Sequence, residues 1–421
     1  MRARCLLFAA APLCAALAVR AEAATTATVF IHDATVHTLT AAGVLQHADI
    51  LIRDGRIAEL GTRLTAPGSA ERIEAAGRPV TPGLFGGIGY LGVEEIGLEP
   101  AADDYALKLG GAMRPEFDVS SAFNPDSVVL GVSRLGGITF AQLGPATEAG
   151  GSIIAGQGAV VRLDGEVAAP RALFIDAGSD ASQLAGGSRA GEFMLLSQAI
   201  TEVRAPQQLL PNDQRLLTPA GRETLRGYLG GTHRVVVDVN RASDIRQVLS
   251  FARREHLAIA IRGADEAWRV APELAAAGVA VILDPLDDLP QSFDMVGATL
   301  ENAARLNAAG VKVVFSFADP EPHNIRKLRQ GAGVAVAHGM PWEAALAALT
   351  RNPAELFGVA DRNGSIERGH PADLVLWSGD PLEVTTLADA VFIQGAPQPM
   401  RSRQSELRDR YLQKLRAHAA R

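Results

Sequence analysis

Residues 27–65 alternate apolar and polar positions: Thr28-Val29-Phe30-Ile31-His32, Ala48-Asp49-Ile50-Leu51-Ile52, Arg56-Ile57-Ala58-Glu59-Leu60. These runs have a period of two and break at Asp54-Gly55, which predicts antiparallel strands joined by a hairpin. Near the other end, Ala372–Trp377 and Ala390–Ile393 read as strands of the same kind. The two ends of the chain are expected to complete one small sheet domain.

Between them the period changes. Near-continuous apolar strands are expected at Leu84–Gly92, Gly137–Leu143, Ala172–Asp176, Arg234–Asn240, Leu257–Arg262, Val279–Asp284 and Val311–Phe317. Amphipathic helices are expected at Asn124–Leu135, Ser243–His256, Asp265–Ala277, Leu300–Ala309, Asn324–His338 and Trp342–Thr350. Caps such as Asn124 mark their starts. Strands without alternation, each followed by a helix, imply a parallel sheet covered on both faces. Seven or eight such units over roughly 270 residues favour a (β/α)8 barrel. Two segments depart from the repeat. Residues 93–123 form a long acidic loop after the first strand. Residues 144–170 are a Gly-rich excursion that includes Gly156-Gln157-Gly158 and a strand-like Ala159–Leu163. Residues 403–418 read as a charged terminal helix.

Composition narrows the classes. Arg2 and Arg4, the apolar stretch Leu6–Val19 and Ala21-Glu22-Ala23 have the order of a secretory leader covering 1–23. Export to the periplasm or the medium is the expected localisation. Cys5 and Cys14, the chain's two cysteines, fall inside that leader, so disulfides and thiolate chemistry are excluded from the mature chain. The formal net charge of −7 argues against nucleic acid as a partner. No later apolar stretch is long enough to cross a membrane.

The lead-in Val80-Thr81-Pro82-Gly83-Leu84 resembles the segment that opens the barrel of metal-dependent amidohydrolases. Arg53-Asp54-Gly55-Arg56-Ile57 and Ala75–Leu84 fit the same opening. Ala345–Glu355, Asp361–Ile366 and Gly369–Trp377 resemble the superfamily's closing signature, nearest its imidazolonepropionase-like branch. The resemblance implies a distorted (β/α)8 TIM barrel, class α/β, with a small β-sandwich built from both termini. The expected domains are the leader 1–23, a composite sandwich from 24–80 and 362–400, the barrel 81–361 and a C-terminal helix 401–421.

The family frame is present without its usual ligands. The pattern P-G-L-I-D-x-H-x-H-L-G places the Asp at Gly86 and the two His at Ile88 and Tyr90. Isoleucine has no lone pair, and a phenol with a pKa near ~10 is a poor metal ligand. A carboxylated lysine cannot bridge two metals, because no Lys lies between Lys108 and Lys312. Glu192 and Glu202 remain as substitutes, on an expected helix. Where the branch carries two further His at strand ends, this chain has Asn240 and Arg262. A guanidinium offers no lone pair. It stands in for the metal's positive charge, either binding a carboxylate or pairing with Asp319. The family's last ligand and proton shuttle aligns with Asp319, and His323 lies four residues beyond. One His and one Asp do not make a metal site. The expectation is no metal and no cofactor.

Asp319 and His323 are the catalytic candidates. Arg262, Asn240, Tyr90 and Gln157 are candidates for substrate binding, with Gln157 on a loop over the mouth. Two functions stay open. By resemblance the chain is a hydrolase of carbon–nitrogen bonds, cyclic amides included, with a rebuilt site. Alternatively it is a non-catalytic barrel that binds a small molecule or serves as partner subunit, homo- or hetero-oligomeric, of a related barrel.

Overall fold

The computed structural model describes residues 28–421 apart from 98, 108, 110, 111, 210, 320, 420 and 421. The expected leader at 1–23, both cysteines, and Lys108 lie outside the described residues.

The N-terminal alternation folds into β1 (Val29–His37), β2 (Val44–Arg53), β3 (Arg56–Gly61), β4 (Glu71–Glu74) and β5 (Pro79–Pro82). Asp54 and Gly55 both have positive φ, 51° and 78°, as the tight hairpin between β2 and β3 requires. Their inward positions, Val29, Ile31, Ile50, Ile52 and Ile57 among them, form a closed apolar cluster.

The second sheet holds β6 (Leu84–Gly89), β7 (Ile138–Leu143), β8 (Ile154–Arg162), β9 (Val167–Asp176), β10 (Arg234–Val239), β11 (Ala258–Gly263), β12 (Ala280–Leu283) and β13 (Val313–Phe315). They follow one another round the sheet in chain order. Ser316 links the two ends of this nearly closed barrel: its Oγ accepts the Ile88 N–H at 2.9 Å. Gly86 and Gly87 permit that approach. A Cβ on Gly87, whose φ is 84°, would lie 3.0 Å from Ser316 Oγ. One on Gly86 would lie 3.0 Å from both Ile138 and Ile325.

The sheet is not wholly parallel. β8 runs antiparallel to both β7 and β9. The reason is the short Asp164-Gly165 connection: Arg162 N–H donates to Glu166 O at 2.8 Å, closing a hairpin too short for a crossover helix. Gly156-Gln157-Gly158 is therefore part of a barrel strand and not a loop over the mouth.

The helical layer comprises α1 (Val128–Arg134), α2 (Ser179–Ser182), α3 (Arg189–Arg204), α4 (Pro219–Tyr228), α5 (Ala242–Glu255), α6 (Ala271–Ala277), α7 (Asn302–Ala308), α8 (Leu328–Ala337), α9 (Trp342–Ala348) and α10 (Arg351–Leu356). α1 starts later than Asn124 because Ser127 is its cap, while Asn124 Oδ1 accepts the Asp126 N–H at 3.0 Å in the preceding turn. α5 ends at His256, which caps it with φ 55°. Along each strand, outward residues such as Leu173, Val235 and Ile259 pack on this layer. Inward residues Phe85, Phe140, Phe174, Val236 and Ile282 form a separate interior cluster, closed below by Phe357.

The chain then returns to the first sheet as β14 (Leu374–Trp377), β15 (Ala388–Ile393) and β16 (Ala396–Pro397), with β14 antiparallel to β5. α11 (Arg403–Ala419) follows. Among the described residues no helix is long and apolar enough to cross a membrane.

Candidate active site at the barrel mouth

The C-terminal ends of the parallel strands place their inward residues around one opening. Register decides which residues face each other. Asp176 on β9 lies opposite Asp238 on β10, and Asp238 lies opposite Arg262 on β11. All three fall on the same side of the sheet as interior residues Phe174, Val236 and Ala260, two positions earlier in each strand.

Arg262 Nε lies 3.7 Å from Asp238 Oδ2. The guanidinium thus pairs with the neighbouring strand's carboxylate and not with Asp319. The Thr147 hydroxyl donates to Asp176 Oδ2. Burial, followed by the nearby Asp238, pushes the Asp176 carboxyl up to about 7, against pulls downward from Thr147 and Arg262. Asp176 is therefore a carboxylic acid able to hold a proton near neutral pH.

Tyr90 follows β6 directly and stacks on Tyr105, with ring centroids 3.9 Å apart and planes inclined by 11°. Burial raises its phenol well above the usual value, opposed by Arg262. Tyr105 belongs to the 93–123 loop, so that loop packs across the β6 edge of the mouth. The same loop reaches β8, where Gln157 N–H donates to Phe117 O at 2.7 Å.

Asp176, Asp238 and Asn240 line a cavity of about 500 Å³, closed further by Gly178–Ala181 and by Gln291, Ser292, Asp294 and Met295 of the loop after β12. Asn240 Oδ1 is buried without a hydrogen-bond donor. It lies against Gly263, where a Cβ would come within 2.1 Å. Below the cavity Glu192 accepts the Gly178 N–H with both oxygens, at 3.4 and 3.2 Å, and burial lifts it to about 7. Asp294 accepts the Ser179 N–H at 2.9 Å and pairs with Arg189 at 2.5 Å.

Three expected site residues do not line this cavity. Gln157 Oε1 accepts from the Tyr228 hydroxyl at 2.8 Å, on the α4 side of β8. Asp319 is exposed, past the end of β13 at Phe315, but it stays at the rim: the adjacent Ala318 N–H donates to Asp284 Oδ2 at 2.9 Å, and the charge of Asp319 acts on Asp284 and Glu94. His323 is also exposed, and its charged neighbour is Glu321, 3.5 Å away. No hydrogen bond or ion pair joins His323 to Asp319 among the described residues. Arg262, Asn240 and Tyr90 do stand at the mouth.

The residues that sequence reasoning passed over are Asp176, Asp238, Asp265 and Asp284. Burial lifts Asp265 to about 7 and raises Asp284 as well. Among the described residues no group of three or more His, Cys, Asp or Glu converges so as to hold a metal ion. The positions aligned with the family's His ligands carry Ile88, Tyr90, Asn240 and Arg262, of which the isoleucine and the guanidinium offer a metal no lone pair. Glu192 and Glu202 lie on α3, each committed to backbone N–H groups.

Residues 248–400 match the model of a family described as the amidohydrolase family. An imidazolonepropionase of Acidiphilium cryptum is 25% identical over 384 residues, covering 81% of this chain and 89% of its own length. The amidohydrolase tasK of Hapsidospora irregularis is 43% identical over 61 residues, which is 14% of this chain and only 6% of that protein. Among solved structures, an amidohydrolase from Thermotoga maritima superposes with a TM-score of 0.78 at 23% identity, covering 89% of this chain and all (100%) of that one. That last likeness is one of fold.

Proposed function

The chain belongs to the amidohydrolase superfamily, and from that premise we propose that it hydrolyses a carbon–nitrogen bond of a small molecule by acid–base chemistry, without a metal. The observation that carries this reading is the in-register row Asp176–Asp238–Arg262, whose two carboxylates line the cavity with the guanidinium behind them. Asp238 takes a proton from water as the water oxygen bonds to the carbonyl carbon. Asn240, on the cavity wall, donates to the oxygen that gains charge. Asp176, protonated near neutral pH, gives its proton to the departing nitrogen as the C–N bond breaks. The second carboxyl now holds the proton, and solvent returns it to the first. Arg262 positions Asp238.

The test uses the purified chain, treated with a chelator, on a panel of linear and cyclic amides. Turnover should survive chelation. Each of Asp176→Asn and Asp238→Asn should lower kcat by about 100-fold or more, the scale of a lost general acid or base. Activity that returns only with added zinc or manganese sinks the reading.

A second reading, a barrel that binds without turnover or supports an active relative, is favoured by the exposed placement of Asp319, the residue aligned with the family's proton shuttle. It predicts binding at the cavity with no product. Export to the periplasm or medium is part of either proposal and rests on the leader-like residues 1–23. N-terminal sequencing of the mature chain tests it, since an intact Met1 would exclude cleavage.

A further inference from the structure

We propose that the substrate taken by the mouth cavity is a cation, an amide carrying a protonated amine or guanidine group. This rests on reading the cavity as the substrate site and adds which molecules enter it.

The argument is one of charge on a wall. Asp176, Asp180, Asp238 and Asp294 line the cavity, and no Lys, Arg or His is among its lining residues. Three guanidiniums approach from behind, and all are engaged: Arg262 with Asp238, Arg189 with Asp294 at 2.5 Å and Asp244 at 3.1 Å, and Arg241 with Asp244 at 2.6 Å. Asp180 is different. It is exposed at the rim, and among the described residues no cation pairs with it. A second observation concerns neutral groups. Gln291 adds an amide to the lining, and Ser179 and Ser292 add hydroxyls. Amide and hydroxyl oxygens accept from an ammonium or guanidinium, which only donates. An anionic substrate would meet Asp180, which has no cation paired with it among the described residues, on a wall whose lining offers no Lys, Arg or His.

The volume of about 500 Å³ suits a small molecule and not a polymer. The geometry divides the substrate in two. The scissile amide lies over Asp176 and Asp238 on the floor, and the cationic end lies toward Asp180 at the rim.

Three probes differ only in the distal group: N-(4-aminobutyl)acetamide, N-butylacetamide and 4-acetamidobutanoate. Binding is measured by calorimetry and acetate release by a coupled assay, on the full mature chain. The cation should bind at least about tenfold more tightly than the neutral amide, the scale of one charge-assisted contact, and the anion weakest of all. Asp180→Asn should reduce the cation-to-neutral ratio of binding constants about fivefold, as should raising the salt, because a rim charge is screened. Circular dichroism checks that the variant folds, which its exposed position favours.

Equal binding of cation and neutral amide, preference for the anion, or no binding of any probe overturns the proposal. Acetate release is read separately. Selective binding without acetate release leaves the charge preference standing and defeats the hydrolase reading. Acetate release from all three at equal efficiency does the reverse.

Discussion

Asp176 and Asp238 stand opposite one another on neighbouring parallel strands, and the first of them is the more deeply enclosed. Two carboxylates this close do not ionise independently. Burial lifts the Asp176 carboxyl from 3.8 in the free side chain to about 7. Between those values the folded chain holds a proton that the unfolded chain has released. Stability from this group is therefore full below the unfolded value and is lost as pH rises through about 7. Asp176→Asn should flatten that decline and make the variant relatively more stable at alkaline pH. Chemical denaturation at several pH values measures it. An unchanged pH slope would place the proton elsewhere, with Glu192 the next group to test.

The same proton sets the rate profile. Asp176 must be protonated to act as an acid, so kcat/KM should fall above about 7. Arg262 pulls the Asp176 pKa down and partners Asp238. Arg262→Met removes both influences. The basic limb should move to higher pH, and the maximal rate should drop about 10- to 100-fold, the range for a lost charge-assisted contact. Arg262→Lys should restore part of the rate. A rate loss with the limb unmoved would mean that Arg262 acts only through packing.

Asp319 and His323 are expected to matter little. Both are exposed, and His323 is 63% so at its side chain. Asp319→Asn and His323→Ala should each change unfolding free energy by less than about 0.5 kcal/mol, as surface substitutions do. Their kcat/KM values should stay within about twofold of the parent. Asp319 raises the pKa of Glu94 and of Asp284, so its removal should lower both slightly. Loss of turnover in Asp319→Asn would return the site to the position that the family alignment marks.

The frame of the molecule was legible because periodicity reports burial. The alternation in β1 to β3 and the apolar runs in β10 to β12 are consequences of one covered face and of two. The strand bounds read from sequence already ended on Asp176, Asn240, Arg262 and Asp284. Counting back by two from Asn240 gives Asp238, so the inward row was present in the pattern. Nothing in the sequence sets that row apart, because an aspartate near a strand end is as common in a solvated turn as in a site. Only the second half of β8 is legible, as the strand-like Ala159–Leu163, and its first half is hidden for another reason. Gly156 and Gly158 weaken any strand signal, yet contacts require them: a Cβ would meet Phe117 O at 2.6 Å in the first case and Leu143 O at 2.1 Å in the second. The shortness of β13, which leaves Asp319 on an exposed turn past the strand end, has no sequence mark at all.

Gly137 tests how tightly the lower end of the barrel is fitted. It precedes β7 with φ 83°, and a Cβ there would lie 2.4 Å from the Trp377 ring. Trp377 cannot retreat. It is fully buried, its Nε1 donates to Thr81 Oγ1 at 2.9 Å, and the Arg329 guanidinium lies 5.4 Å from its ring centroid. Gly137→Ala should therefore cost about 1–3 kcal/mol from overpacking, added to the backbone strain. Thermal unfolding measures it, and a variant as stable as the parent would show that Trp377 has room to turn.

Glu202 offers the sharpest contrast between a structural role and a metal-bridging one. It is 4% exposed. Its two oxygens accept the Leu216 N–H at 2.9 Å and the Leu217 N–H at 3.1 Å, and Gln198 adds a contact at 3.3 Å. Leu216 O in turn accepts the Met113 N–H at 3.0 Å, so one carboxylate ties α3 to the segment before α4 and to the loop packed at the mouth. Glu202→Ala strands two backbone donors, each costing about 1–3 kcal/mol, so unfolding free energy should fall by roughly 2–5 kcal/mol. Glu202→Gln keeps one oxygen and should lose about half as much. The denaturant midpoint should move while the slope stays constant, since the surface exposed on unfolding is the same. Were Glu202 a metal bridge, its removal would change the protein's metal content, and the midpoint would shift only in metal-loaded samples. A midpoint shift of equal size with and without chelator assigns the residue to the scaffold.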